Sequence, residues 1–282
     1  MEAASGRCSS AESSARWPVS TDRWLPFTPG RKGIDLPPMY CLPPAGAGAS
    51  TFRSWQSQLW GVAEVCPIQL PGREIRLHEE PISDLSQLVA GLTEVVNAKG
   101  AAGYVLVGHS FGALVAFELV RLMRRQGLPM PDLFIAIAAA APQLSPQAGL
   151  AVREDVDGLE FLRRVNGTPE EVLRDPSLME LVLPALRDDL FMYKNYIHDD
   201  EPPLNVPILA LAGRHDPVVT THSVAAWHAQ TSIEFRFEIL EGGHFFPIHA
   251  PDLFEAVIEM IGKHSRKPED EIEFLRSNSS VT

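Results

Sequence analysis

The sequence predicts an α/β fold: a mostly parallel central sheet flanked by helices, with a helical cap (lid) inserted late in the chain. Three observations predict it. Short runs that are apolar throughout alternate with segments of helical period, the pattern of strands buried on both faces by crossover helices. A Gly-His-Ser-Phe-Gly turn, Gly108 to Gly112, joins one such strand to a helix. From about Gln143 to Asp200 helical periods follow one another with no strand between them.

The elements follow in order. Residues 1–35 are rich in Ser, Ala, Pro, Gly and Arg without an apolar period, and read as a flexible leader. Within it Trp17, Trp24 and Phe27 are the residues able to pack on the body. Residues 36–265 form the main domain. Residues 38–42 make a strand that ends in a Pro/Gly/Ala loop, and 50–60 have helical spacing. Residues 64–70 make a strand that Pro71-Gly72 stops. Ser83 caps a helix carrying Leu85, Leu88, Val89, Leu92 and Val96 on one face. Residues 104–107 are a strand, 113–125 a helix ended by Gly127 and Pro129, and 133–139 and 207–212 strands. Residues 234–240 alternate, with Phe235, Phe237 and Ile239 on one side. Residues 143–200 form the lid insertion. In it Asp175-Pro176 starts a helix with a capping side chain and then Pro, and Leu178, Leu181, Val182, Leu186 and Leu190 give it an apolar face. Residues 266–282 are a tail, with a short helix through Ile272 and Leu275.

Composition narrows the function. A hydrophobic fraction of 45% in 282 residues supports a large core. A formal charge of -12 argues against bulk electrostatic binding to nucleic acid or an anionic membrane. The three cysteines, Cys8, Cys41 and Cys66, are an odd number without metal-type spacing, which fits a reducing, cytoplasmic setting. Neither a secretory start nor a membrane-length apolar run is visible. The glycine loops match no dinucleotide or nucleoside-triphosphate fingerprint, so neither cofactor nor metal is expected. A monomer is the expected state.

Chemistry concentrates at the strand ends. Gly108-His109-Ser110-Phe111-Gly112 between a strand and a helix is the context of a nucleophile elbow, and it points to the α/β-hydrolase fold. Serine needs a base to take its proton. His244, in Glu241-Gly242-Gly243-His244-Phe245, follows the last strand. Asp216, in Gly213-Arg214-His215-Asp216-Pro217, follows the strand before it and can hold the imidazole's tautomer. The order Ser, Asp, His matches that fold. Asp199 and Asp200 are weaker candidates for the acid, and His215 and His249 for the base; His109 is expected to pack in the elbow. Cys41 and Cys66 lie in or beside strands as packing residues. An acyl-transfer site also needs amide donors for an oxyanion. The Phe111 N–H is one. In the loop after the first strand Pro43 and Pro44 have none, so Ala45 is the first available donor and Gly46 the next.

Four blocks resemble the type II (editing) thioesterases of polyketide and nonribosomal peptide assembly lines. They are Cys41-Leu42-Pro43-Pro44-Ala45-Gly46-Ala47-Gly48, Leu70-Pro71-Gly72-Arg73-Glu74-Ile75-Arg76, Gly108 to Ala113, and Gly242-Gly243-His244-Phe245-Phe246. The stretch from Leu183 to Asp189 is similar too, and the resemblance runs over roughly residues 38–262. It implies hydrolysis of acyl thioesters from the phosphopantetheine arm of an acyl or peptidyl carrier protein, with Ser110 as nucleophile, His244 as base and Asp216 as acid. Animal medium-chain fatty-acyl thioesterases are similar as well, so fatty-acid synthesis stays open. Pro44 replaces the usual His of the first block, and Phe111 stands where Met is common. Because carrier domains are usually acidic, local cations would have to steer them. Arg73 and Arg76 are the candidates, with Arg121, Arg124 and Arg125 on the helix after the elbow; Arg73 and Arg76 could equally anchor their own loop. A general carboxylesterase or lipase with the same triad, a terminal product-releasing thioesterase, and a non-catalytic partner-binding relative remain as alternatives.

Overall fold

Six strands build the centre of the computed structural model, which describes residues 21–27, 36–99, 103–144, 158–245 and 250–265. They are β1 (Pro38–Leu42), β2 (Glu64–Pro67), β3 (Val105–His109), β4 (Leu133–Ile137), β5 (Ile208–Gly213) and β6 (Phe235–Leu240). Their order is β2-β1-β3-β4-β5-β6, and every neighbouring pair is parallel. Burial follows the sequence pattern. The interior strands β3, β4 and β5 are buried along their whole length, as continuously apolar runs require, whereas the edge strand β6 is largely half-exposed, as its alternation requires. The register pairs Leu42 with Gly108, His109 with Ile137, and Gly213 with Leu240. The loops after β1, β3, β5 and β6 therefore leave from one edge, the carboxyl end, where open α/β sheets bind ligands.

The helices are α1 (Thr21–Trp24), α2 (Trp55–Gln58), α3 (Leu85–Ala98), α4 (Phe111–Arg125), α5 (Gly158–Val165), α6 (Glu170–Leu173), α7 (Pro176–Lys194), α8 (Thr221–Ala225) and α9 (Pro251–His264). Several differ from expectation. Residues 50–60 form two short pieces, a 3₁₀ turn Ala49–Phe52 and α2, rather than one helix. The cap of α3 is Asp84, not Ser83, because the Asp84 carboxylate accepts the Gln87 N–H at 2.8 Å. The strand expected over 64–70 ends at Pro67. Helix α9 was not singled out from sequence, although Pro251 at its start and the buried Leu253, Phe254, Val257 and Ile261 are ordinary helix signals.

Helix α7 begins as expected, with the Asp175 carboxylate accepting from Ser177 and Leu178 N–H. Its buried face is rotated, however. Leu178 and Leu181 are exposed, and Met179, Ala185, Leu186, Asp189, Met192 and Tyr193 face inward. The inward face includes a carboxylate, which an apolar count passes over.

Of the expected leader, residues 1–20 and 28–35 lie outside the described residues, as do the tail 266–282 and residues 145–157 of the cap. Between the leader segments, α1 sets Trp24 and Leu25 into the core. The Trp24 ring lies under the Arg76 guanidinium at 4.6 Å, and the Trp24 carbonyl accepts the Gln69 N–H at 2.8 Å. Among the described residues no helix is long and apolar enough to cross a membrane, and no cluster of His, Cys, Asp and Glu could hold a metal. Cys41 and Cys66 are buried free thiols; Cys8 lies outside the described residues.

Replacing Trp24 with Ala empties a buried site of its largest side chain. Urea unfolding should show a loss of about 3 kcal/mol, at the lower end for a large aromatic deletion. No change in the midpoint would mean that this segment does not belong to the core.

Candidate active site

Strand β3 runs through Gly108 and His109 and turns at once into α4. Ser110, between them, has φ 54° and ψ −117°, a backbone conformation that side-chain-bearing residues rarely adopt. Two absent side chains make the turn possible. A Cβ on Gly108 would lie closer than 3.0 Å to the Ala113 backbone, and one on Gly112 closer than 3.0 Å to the carbonyls of Leu42 and Pro43. The Ser110 N–H donates to the Ile137 carbonyl at 2.8 Å, tying the turn to β4. The start of α4 is thereby pressed against the end of β1.

Three side chains then line up. The Ser110 hydroxyl lies 2.9 Å from His244 Nε2, and His244 Nδ1 lies 2.8 Å from Asp216 Oδ2. The Asp216 carboxylate accepts only, so Nδ1 carries a proton and Nε2 is left to accept from Ser110. Asp216 is fixed in turn by the N–H groups of Val218 (2.7 Å) and Val219 (3.1 Å), which donate to Oδ1. The His244 and Asp216 side chains are almost fully buried, while Ser110 is half-exposed. A cleft lined by Ser110, Leu114, Ala140, Pro142, Tyr193 and Tyr196 opens beside the hydroxyl.

His109 packs in the elbow. Its Nε2 lies 3.0 Å from the His244 carbonyl, which can only accept, so the proton sits on Nε2. Burial, with the nearby His244 imidazole, pushes the His109 imidazole down to about 3, so it is neutral near neutral pH. The side chain of His215 points outward, 3.5 Å from Glu241. Asp199 offers its carbonyl to Arg121. His249 lies outside the described residues.

Of the amides expected to meet an oxyanion, one follows Ser110 directly and the other lies in the loop after β1, whose Leu42 and Pro43 carbonyls adjoin Gly112. Phe111 is the first residue of α4, so its N–H has no partner within the helix. Among the described residues the Ala45 N–H has no hydrogen-bond partner, whereas the Gly46 N–H donates to Asp189 Oδ2 at 2.8 Å. Of the two donors read from the loop, only Ala45 is free to receive new charge.

Arg73 and Arg76 are not the exposed cationic patch that carrier docking would need. Arg73 is 5% exposed and forks onto Asp189 through both terminal nitrogens, one of them at 3.2 Å. Arg76 is 7% exposed, with Glu79 (2.6 Å) and the Gln69 carbonyl (2.9 Å) as partners. Both anchor their own loop. A charge 116 residues away in sequence took Arg73 inward, and no local pattern announces such a pairing. Arg121, Arg124 and Arg125 converge on Glu201 at 2.6 to 2.8 Å. In the sequence Asp189 stands out only as part of the stretch from Leu183 to Asp189. Its position three residues after Leu186, on the apolar stripe, was the available signal. Burial pushes the Asp189 carboxyl above its ordinary range, against the pull of Arg73 and the Gly46 N–H.

Residues 37–264 match the family model described as Thioesterase domain. The chain is 37% identical over 224 residues to the gramicidin S biosynthesis protein GrsT of Aneurinibacillus migulanus, covering 79% of this chain and 85% of that one. It is 36% identical over 211 residues to the thioesterase PikA5 of Streptomyces venezuelae, covering 74% of each. Its fold is similar to that of the type II thioesterase BorB from the borrelidin biosynthetic cluster, with a TM-score of 0.74 and 29% identity over 86% of this chain and 99% of that one.

The depressed His109 imidazole makes stability depend on pH. The unfolded chain takes up a proton at His109 below about pH 6.5 and the folded chain only near 3, so folding loses stability as pH falls through that window. His109→Gln should remove this contribution, up to about 1.4 kcal/mol per pH unit. Denaturant titrations of both proteins between these limits check it, and parallel curves would count against the assignment.

Proposed function

The chain belongs to the thioesterase domain family, with the α/β-hydrolase fold, and hydrolyses thioester bonds; from that premise we propose that it removes acyl groups from the phosphopantetheine arm of acyl or peptidyl carrier proteins. The editing or release setting is that of nonribosomal peptide and polyketide synthesis, with fatty-acid synthesis as the related case. The relatives support it: GrsT is named for gramicidin S biosynthesis and BorB for the borrelidin cluster.

The observation that carries the mechanism is the unbroken chain of contacts from Asp216 through His244 to Ser110. In this mechanism the Ser110 oxygen attacks the thioester carbonyl as His244 Nε2 takes its proton. The carbonyl oxygen gains charge between the N–H groups of Phe111 and Ala45. The tetrahedral intermediate collapses, the C–S bond breaks, and the imidazolium returns its proton to the leaving thiol. Water attacks the resulting acyl-serine, with His244 again as base, and releases the carboxylic acid. Asp216 remains ionised throughout and stabilises the imidazolium.

Replacing Ser110 with Ala should lower turnover by several orders of magnitude, on the order of 10³ or more, with little change in stability. Against that blank, one acyl group presented on a carrier domain, on a small pantetheine mimic and as an oxygen ester separates the function classes. The carrier-bound thioester is expected to be the preferred substrate. Residual activity of Ser110→Ala near wild type would remove the nucleophile assignment, and preference for the oxygen ester would move the chain to the carboxylesterases.

A further inference from the structure

The turn between β1 and α2 is held from three directions. The Gly46 N–H donates to the Asp189 carboxylate of α7, and the Ala47 N–H to the Pro44 carbonyl at 3.1 Å. The Ala49 N–H donates to Gln69 Oε1 at 3.2 Å, and the Ser50 N–H to Glu74 Oε2 at 3.3 Å. Gln69 also donates its amide to the Arg73 carbonyl at 2.9 Å, and Arg73 grips Asp189. The segment from Gln69 to Glu74 is thus a clamp around the loop that carries Ala45. One jaw of that clamp, Asp189, comes from the cap. Next to it, Leu186 lies against Gly46 so closely that a Cβ there would sit 2.9 Å from the Leu186 Cβ.

Asp189 is wholly buried, and a buried carboxylate needs both a countercharge and donors. Its Oδ2 accepts from Gly46 and Arg73 together, and its Oδ1 from Arg73. The Gly46 peptide is therefore fixed by an acceptor on one side, and the Ala45 residue that precedes it is fixed with it. A hydrogen-bond donor for a developing oxyanion is effective only when its direction is set before the charge appears.

We infer that Asp189 is a positioning residue for the oxyanion hole. Held by Arg73, it fixes the Gly46 amide and so aims the Ala45 N–H, and the hole is complete only while α7 is seated on the loop. Arg73 acts through Asp189, not on a partner. This rests on the serine-hydrolase reading above, so the experiment begins with the wild-type protein on a small pantetheine thioester, with Ser110→Ala as blank. Absence of Ser110-dependent turnover at that stage overturns the reading itself, before any Asp189 variant is considered.

Given turnover, Asp189→Ala should lower kcat about 100-fold, the loss typical of one oxyanion donor, with KM within about twofold. Asp189→Asn retains an acceptor for Gly46 and should recover kcat to within about tenfold of wild type. A trifluoromethyl ketone analogue, whose alkoxide occupies the hole, should lose affinity by the same factor as kcat, while an unreactive thioether analogue should bind as before. Because Asp189→Ala leaves Arg73 uncompensated, the double variant Asp189→Leu/Arg73→Met, which replaces the pair by apolar groups of similar size, serves where the single one does not fold. It should show the same loss of kcat. Unchanged kcat in a folded Asp189→Ala or double variant overturns the inference. So does a loss carried by KM, or a loss of kcat with the ketone's affinity intact.

Discussion

Ser110 stands at a backbone conformation that costs of order 1–3 kcal/mol for a residue with a side chain, and the surrounding structure is arranged so that it has no alternative. Its N–H is committed to Ile137 on β4, its carbonyl accepts the Ala113 N–H, and eleven residues of α4 are buried behind it. Removal of side chains at Gly108 and Gly112 is what lets strand and helix meet at so sharp an angle. The second of these contacts has a further effect. With no Cβ at Gly112, the start of α4 reaches the Leu42 and Pro43 carbonyls, so the loop that carries Ala45 adjoins the helix start that carries Phe111. One steric constraint thereby brings the Ser110 turn and the loop after β1 together.

The sheet and the contact of Ser110, His244 and Asp216 were legible because each depends on signals confined to a few adjacent residues. A run such as Leu133 to Ile137 is apolar at every position, which only a doubly covered strand requires. Ser110, Asp216 and His244 each follow such a run, and a parallel sheet sends all three to one edge. Weaker features failed for equally local reasons. Ser83 and Asp84 are both competent caps, and only the geometry of the Gln87 amide decides between them. Residues 50–60 have the apolar spacing of a helix, yet the helical hydrogen bonds lapse between Phe52 and Trp55.

Arg73 shows the other kind of limit. After a strand in an acidic chain, Arg73 reads either as a docking cation or as an anchor of its own loop. Its partner is a carboxylate on a different element, and burial of each makes sense only with the other. Buried ion pairs of this kind contribute little net stability against well-packed apolar residues, but they fix geometry, because either charge left alone is strongly unfavourable. The face of α7 that contains Asp189 is the face turned inward, with Leu178 and Leu181 left in water. The five arginines considered for docking are consumed internally: Arg73 by Asp189, Arg76 by Glu79, and Arg121, Arg124 and Arg125 by Glu201. Arg73 and Arg76 each meet one carboxylate, whereas Arg121, Arg124 and Arg125 share Glu201 and Glu118, so that cluster keeps a net positive charge.

The proposed reaction of a thioester accounts for such a fixed loop. A thiol leaves with a pKa near 8.5, far below that of an alcohol, so protonation of the leaving group is the less demanding half of the first step. On the proposed mechanism the more demanding half is attack, in which the carbonyl oxygen takes up a full charge and Ser110 must lose its proton at once. Stabilisation of that oxygen by preset amides lowers the attack barrier directly, because the donors need no reorganisation as charge develops. On the proposed mechanism, rigid amides at Ala45 and Phe111 therefore matter more than a mobile acid aimed at the leaving sulfur. His244 is buried, with Asp216 and Ser110 at its two ring nitrogens and its carbonyl bonded to His109, and is itself held in one orientation. On the same proposal, a loop held by Gln69, Glu74 and Asp189 suits a reaction whose barrier lies in making the tetrahedral intermediate.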